Sequence, residues 1–347
     1  MRVNFIAEVF MKSVMRISAL LLILVMASAV VFAGGNKDSG KLKIGISIPT
    51  QREQRWVWDK EGFEAAAKAK DVEILIQIAD NNAARQQSQC ENLITQGVKV
   101  LIVAPHDEGA AKNIVDMARK AGVPVISYDR LIANANVDLY ATFDQFKIGF
   151  LMGDYMDKHL EKGNIVFLKG DPGDSTCRDL AAGAKSAMQA KLDSGAYTIV
   201  LEQDCMDWEP REALKHTEQA LTLTNNNVQG VIAPNDGTAG GVIQALAAQG
   251  LAGKVIVTGQ DCETDAVKRI IEGTQSMTVF FNCKELAAGA LEAAIKIAQG
   301  QNPGSSGTEN DGTFDVPMLQ LPATQVTKDN YRAILIDTGF FKASDFN

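Results

Sequence analysis

The sequence predicts an α/β protein with two mainly parallel sheets, and three observations carry that prediction. Past residue 41, short β-branched runs alternate with longer amphipathic stretches. Most of the runs are continuously apolar rather than alternating, as strands covered on both faces by helices must be. Their number, about ten, is too large for one ordinary sheet, and 347 residues are enough for two lobes.

The runs fall in two series. Residues 42–48, 72–78, 98–104 and 123–128 form the first, with 137–143 following it. Residues 164–168, 197–201, 228–233, 255–258 and 277–280 form the second. Between them lie helical stretches. In 145–161, Ile148, Leu151, Met152, Tyr155, Met156 and His159 share one stripe. An Ala- and Leu-rich stretch at 285–299 stops before Gly300 and Pro303. Repeated β-α-β units mean doubly wound sheets. Segment 300–313, rich in Gly, Ser and Asn, reads as a surface loop.

The N-terminus reads as an export signal. Lys12 and Arg16 precede a charge-free apolar run that ends in Val31-Phe32-Ala33, which places cleavage after Ala33. The competing reading, an uncleaved membrane anchor, is disfavoured because the run is short for a spanning helix. Residues 34–41 then form a flexible leader. The chain carries a formal charge of -8, which argues against nucleic acid or an anionic membrane as partner.

Five cysteines form no C-x-x-C pair, and with three scattered histidines no metal site is expected. Cys177 and Cys205 each follow a strand of the second series. A bridge between them competes with the stronger reading of both as small buried hydrophobes.

Ligands of doubly wound sheets bind beyond the carboxyl ends of the strands. The residues there include Arg55, Trp56, Asp129, Arg130, Trp208, Asn235, Asp236 and Asp261. Any one of them is explained by capping or loop solvation. The set is more specific. A neutral sugar needs a fixed partner for each hydroxyl stripped of water. Arg supplies a rigid fork of donors, Asp two acceptor oxygens, and Trp a face for the sugar's C–H groups. The turn Asn235-Asp236-Gly237-Thr238-Ala239-Gly240-Gly241 lacks the spacing of a phosphate loop. No nucleophile elbow or zinc-protease motif appears. A carboxylate pair such as Asp236 and Asp261 has the residue types of a glycosidase, but binding hydroxyls is the less demanding role. A binding protein rather than an enzyme is expected, with no cofactor.

The segments Gln54-Arg55-Trp56, Ser88-Gln89-Cys90-Glu91-Asn92, Tyr128-Asp129-Arg130, 235–241 and Gly259-Gln260-Asp261 strongly resemble the D-xylose-binding proteins of the periplasmic type I solute-binding family. The resemblance runs from Lys43 to the C-terminus. It implies two Rossmann-like lobes hinged by three crossovers, near Asp144, Phe280 and Pro317. Residues 42–144 plus 281–316 would form the first lobe, and 145–280 plus 317–347 the second. It implies a periplasmic monomer that captures xylose or a similar aldose for an ABC transporter permease. A chemoreceptor or sensor kinase is the alternative membrane partner. Arg55, Asp129 and Arg130 match first-lobe ligand contacts, Asn235 and Asp261 second-lobe contacts, and Trp56 and Trp208 the aromatic walls. Two family positions that carry basic residues fall on Ala181 and Phe281 here. Arg178 stands near enough in sequence to replace one of them.

Overall fold

The computed structural model describes residues 40–346; the expected signal peptide and most of the leader lie outside them. From residue 42 onward the chain is one compact unit. It begins β1 (Lys43–Ile48), α1 (Gln54–Lys70), β2 (Glu73–Ile78), α2 (Ala83–Thr95), β3 (Val100–Val103), α3 (Lys112–Lys120), β4 (Val125–Tyr128) and β5 (Leu139–Phe143). Next come α4 (Gln145–His159), β6 (Gly163–Lys169), α5 (Thr176–Asp193), β7 (Tyr197–Asp204), α6 (Pro210–Leu223), β8 (Gly230–Ile232), α7 (Asp236–Ala248), β9 (Ile256–Val257) and α8 (Thr264–Glu272). The chain ends with β10 (Thr278–Phe280), α9 (Cys283–Ala298), β11 (Gly307–Asn310), β12 (Asp315–Leu321), β13 (Thr324–Val326) and a short C-terminal tail.

Two main sheets result, as the apolar runs predict. The first has seven strands in the order β11-β12-β5-β4-β3-β1-β2, parallel except for the β11–β12 pair. The second has four parallel strands in the order β7-β6-β8-β9. The central runs are fully buried: β3 and β4 expose nothing, because helices cover both faces. Polar caps set where the helices begin. The side chains of Asn82, Asp144 and Asn235 accept from the backbone N–H groups of Arg85, Lys147 and Thr238, donors that a helix start otherwise leaves unpaired. The strand-end loops therefore stop abruptly and hold their side chains at the sheet edge.

Glycine decides how α4 and α5 meet. A Cβ on Gly149 would stand 2.0 Å from Leu180 O, and one on Gly183 would stand 2.0 Å from Phe146 O. Only bare backbone allows so close an approach. All five cysteines are buried free thiols, Cys177 and Cys205 among them, so the bridge does not form.

Several expected boundaries are corrected. Segment 300–313 is no mere loop, since it contains β11, an exposed edge strand that pairs with β12. Pro317 lies inside β12 rather than at a crossover. The pairing of β12 with β5 starts at Met318–Tyr140 and runs to Leu321–Phe143, one residue past the proline that could not donate. The chain leaves the seven-stranded sheet only after Leu321. The run at 277–280 does not join the four-stranded sheet; β10 pairs antiparallel with β13 instead. Nor does 317–347 keep to the second sheet. Phe340 and Phe341 of the tail meet Trp58 of α1 edge to face, at 5.2 and 5.4 Å.

Candidate functional site

The carboxyl ends of both main sheets face one cavity, with about 360 Å³ of space free of protein atoms when the open solvent at its mouth is included. Seven of the eight residues expected there line it: Arg55, Trp56, Asp129, Arg130, Trp208, Asn235 and Asp261. The eighth, Asp236, does not, and that expectation is corrected. Asp236 is fully buried in the first turn of α7, where it accepts from Gln275 Nε2 at 2.7 Å, Thr278 Oγ1 at 2.9 Å and the Glu263 backbone N–H at 3.0 Å. It ties α7 to the loops around it. Burial, reinforced by Glu263, pushes its carboxyl up to about 7.

Arg55 is the best-anchored of the lining residues. It sits in the first turn of α1, so its side chain swings from a rigid helix end. Nε and Nη2 donate to Asp59 Oδ2 at 3.1 and 3.0 Å, and Nη1 donates to Asp129 Oδ1 at 2.8 Å. Burial opposes its charge, but the carboxylates of Asp129 and Asp59 outweigh it and hold the pKa well above its usual value. Trp56 is not on a strand-end loop as expected but on α1, and only 1% exposed. Its ring carries the guanidinium of Arg55 at 4.2 Å and that of Arg130 at 5.3 Å. Trp56 is thus a cation–π platform for both arginines.

Arg130 faces the other sheet. Its Nη1 donates to Pro105 O at 3.2 Å, and its Nε lies 2.8 Å from Asp174 Oδ2, an ion pair without hydrogen-bond alignment. The same Oδ2 accepts from Trp208 Nε1 at 3.2 Å. Burial raises the Asp174 carboxyl, and Arg130 acts against that rise. Trp208 lies flat on Gly170, where a Cβ would stand 2.3 Å from its ring. Asn235 uses Oδ1 for the helix cap and turns Nδ2 toward Asp261 Oδ2 at 3.4 Å. Burial pushes the Asp261 carboxyl well up, with Arg55 opposing and Glu263, Asp236 and Glu53 reinforcing.

Three of these residues have left-handed backbones that side chains seldom adopt: Asp129 at φ 63°, Trp208 at φ 57° and Asp261 at φ 99°. Such conformations survive only where the surroundings enforce them, and they gather at binding sites. Orphaned polar atoms gather here too. Among the described residues, Glu53 Oε2, Gln260 Oε1 and Arg130 Nε are buried without a protein hydrogen-bond partner, and all three residues line the cavity. A buried polar atom left unpaired is costly, so the cavity suits a ligand that both donates and accepts.

Glu53, Gln145, Asp174, Thr176, Gln260 and Phe281 line the cavity as well. Glu53, Asp174 and Gln260 belong to the strand-end stretches of the sequence without standing out there as ligand contacts, whereas Gln145 and Thr176 carry no such signal. Phe281, a departure from the family pattern, forms a third aromatic wall, 3% exposed with its ring 5.3 Å from the Arg55 guanidinium. Arg178 replaces nothing in the cavity. Its guanidinium pairs with both oxygens of Glu108 at 2.6 and 2.8 Å, while Ala181, on α5 itself, packs against the apolar cluster around Met156, Ile165 and Phe167 rather than facing the cavity.

Comparison with known proteins agrees with this geometry. Residues 44–302 match the periplasmic binding protein domain. The chain is 39% identical over 305 residues to the D-xylose-binding periplasmic protein of Escherichia coli K12, covering 88% of this chain and 92% of that one. It is 34% identical to the multiple sugar-binding periplasmic receptor of Rhizobium radiobacter, over 86% of this chain and 91% of that one. Among solved structures, a carbohydrate transporter solute-binding protein from Chloroflexus aurantiacus in complex with D-glucose superposes with a TM-score of 0.83. It is 36% identical, over 88% of this chain and 98% of the other. Matched through most of its length in both sequence and fold, the chain belongs to the periplasmic binding protein family.

Proposed function

We propose that this chain captures an unmodified monosaccharide, xylose or a similar aldose, in the periplasm and hands it to an ABC transporter permease. The observation that carries the reading is the cavity itself. Paired forks of donors (Arg55, Arg130) and acceptors (Asp129, Asp261, Glu53, Gln260) converge between Trp208, Trp56 and Phe281, the mixture a ring of hydroxyls and C–H faces requires. The relatives named above are binding proteins of sugars by their descriptions. The apolar run at residues 17–32, with its small-residue ending, supports export.

In this reading residues 42–143 and 283–321 form one lobe, and the four-stranded sheet with β10 and β13 forms the other. The ligand is gripped from both, so binding shifts the lobes toward closure. The test is thermal melting of residues 34–347 against pentoses and hexoses, followed by mass spectrometry of the recovered sugar. A raised melting temperature with the sugar returned intact supports capture. A converted sugar means an enzyme, and a response to nucleosides or amino acids alone means another ligand class.

Salt should weaken sugar binding even though the sugar is neutral. Arg52 reaches Glu209 and the backbone oxygen of Asp207, and Arg178 reaches Glu108, all on the rim and bridging the loops of the two sheets. Exposed pairs contribute only about 0.2–1 kcal/mol each, and salt screens them. Affinity should therefore fall about two- to fivefold between 0.05 and 0.5 M sodium chloride. In the double variant Arg52→Gln, Arg178→Gln it should be weaker at low salt and nearly flat. An equal salt slope in wild type and double variant would place the effect elsewhere.

A further inference from the structure

Behind Arg55 lies a charged group that touches no part of the cavity. Asp59 is one turn further along α1 and fully buried. Its Oδ2 takes two of the Arg55 donors, and its Oδ1 accepts from the hydroxyl of Tyr128, itself fully buried on β4. A guanidinium has five N–H donors. With Nε and one Nη2 donor committed to Asp59 and one Nη1 donor to Asp129, two remain on a residue that lines the cavity. The planar fork cannot rotate without giving up the bond to Asp59.

We propose that Asp59 is a positioning residue for ligand binding: ionised, it fixes the Arg55 guanidinium with its two free donors toward the cavity, and when protonated it lets that orientation go. The proposal rests on the monosaccharide reading above and adds a control by pH. The groups facing Asp59 are Arg55 from its own helix, Tyr128 from β4, Asp129 just after β4 and Cys283 from the start of α9. Burial holds the Tyr128 hydroxyl and the Cys283 thiol well above their usual values, so both stay neutral. For Asp59, burial outweighs Arg55 and the Tyr128 hydrogen bond and pushes the carboxyl up to about 6. The sign follows. Above about 6 the carboxylate is ionised and affinity is full; as pH falls through that value the group protonates and affinity is lost.

The experiment is calorimetry of residues 34–347 with D-xylose and D-glucose at fixed ionic strength from pH 7.5 to 5. Wild type should bind about tenfold more weakly at pH 5 than at pH 7, because one unit below its pKa the group is about nine-tenths protonated. Tyr128→Phe removes a bond that favours the ionised form, so the fall should begin at higher pH. Asp59→Asn should bind weakly and lack the fall. Should Asp59→Asn fail to fold, the displacement in Tyr128→Phe carries the test, since a merely structural role for Asp59 would not move a pH midpoint. Wild-type affinity that stays constant from pH 7 to 5 would overturn the proposal. So would an unmoved midpoint in Tyr128→Phe, or the same fall in Asp59→Asn, which would assign it to Asp236 or Asp261. If wild type binds neither these sugars nor any other aldose at pH 7, the monosaccharide reading fails first, and this inference with it.

Discussion

Arg55→Ala should abolish measurable sugar binding and lower the melting temperature together. A hydrogen bond from a charged donor contributes about 1.5–3 kcal/mol, so losing the two donors that Arg55 has left for sugar hydroxyls costs affinity on the order of a hundredfold or more. Here the loss is compounded, because Asp59 and Asp129 both keep their positions with no cation between them. A carboxylate buried without its partner destabilises the fold by about 3–5 kcal/mol. Trp56 loses the guanidinium that lies on its ring as well. Arg55→Lys separates the two effects. It keeps a positive charge near Asp59 and Asp129 but replaces the planar fork with a single ammonium. Its fold should melt close to wild type while its affinity drops at least tenfold. Calorimetry and circular dichroism on the same samples check both. An Arg55→Lys protein that binds as wild type would mean that the fork's geometry is irrelevant.

Trp208→Ala should weaken binding by about 1–3 kcal/mol, the scale of a lost aromatic wall. Only 7% of the residue is exposed, and it belongs to the main apolar cluster, but it lies on Gly170 at the cavity rather than in the middle of a sheet. It caps no strand, and its polar atom serves Asp174 alone. The fold should therefore survive. A second variant reaches the same wall from behind. In Gly170→Ala the new methyl would stand 2.3 Å from the ring, so the indole must tilt or lift. Affinity should fall although every cavity side chain is intact. Trp208→Ala that unfolds, or that binds normally, would assign this residue to packing instead.

Much of this was legible because parallel strands announce themselves. Continuous runs such as 98–104 can hardly be anything else once their length and flanking turns are considered, and reading past each run led to Arg55, Asp129, Arg130, Asn235 and Asp261. What stayed hidden has physical causes. Asn235 and Asp236 look interchangeable in sequence, yet one is the cap and the other the first helical residue. The change in backbone direction between them sends one side chain toward the cavity and the other into α7's supports. Trp56 seemed a loop residue because no cap marks the start of α1: Glu53 makes no side-chain capping bond. Strand β11 is polar and fully exposed, so it lacks the apolar signal by which strands are recognised. The resemblance implies a crossover near Pro317, but β12 runs through it: the proline pairs with Thr308 of β11, and pairing with β5 begins one residue later. The role of Asp59 could not be read at all, since it depends on Tyr128 arriving from 69 positions away.

One monosaccharide is expected to sit between Trp208 and the Trp56-supported arginines, held from both sheets. A crystal structure of residues 34–347 grown with a saturating aldose that raises the melting temperature tests this. Density is expected for one pyranose ring in the cavity, with hydroxyls within about 3.2 Å of Arg55, Asp129, Asn235 and Asp261 and its C–H face on Trp208. Sugar bound at any other place, or in this cavity with none of those four residues in contact, would contradict it.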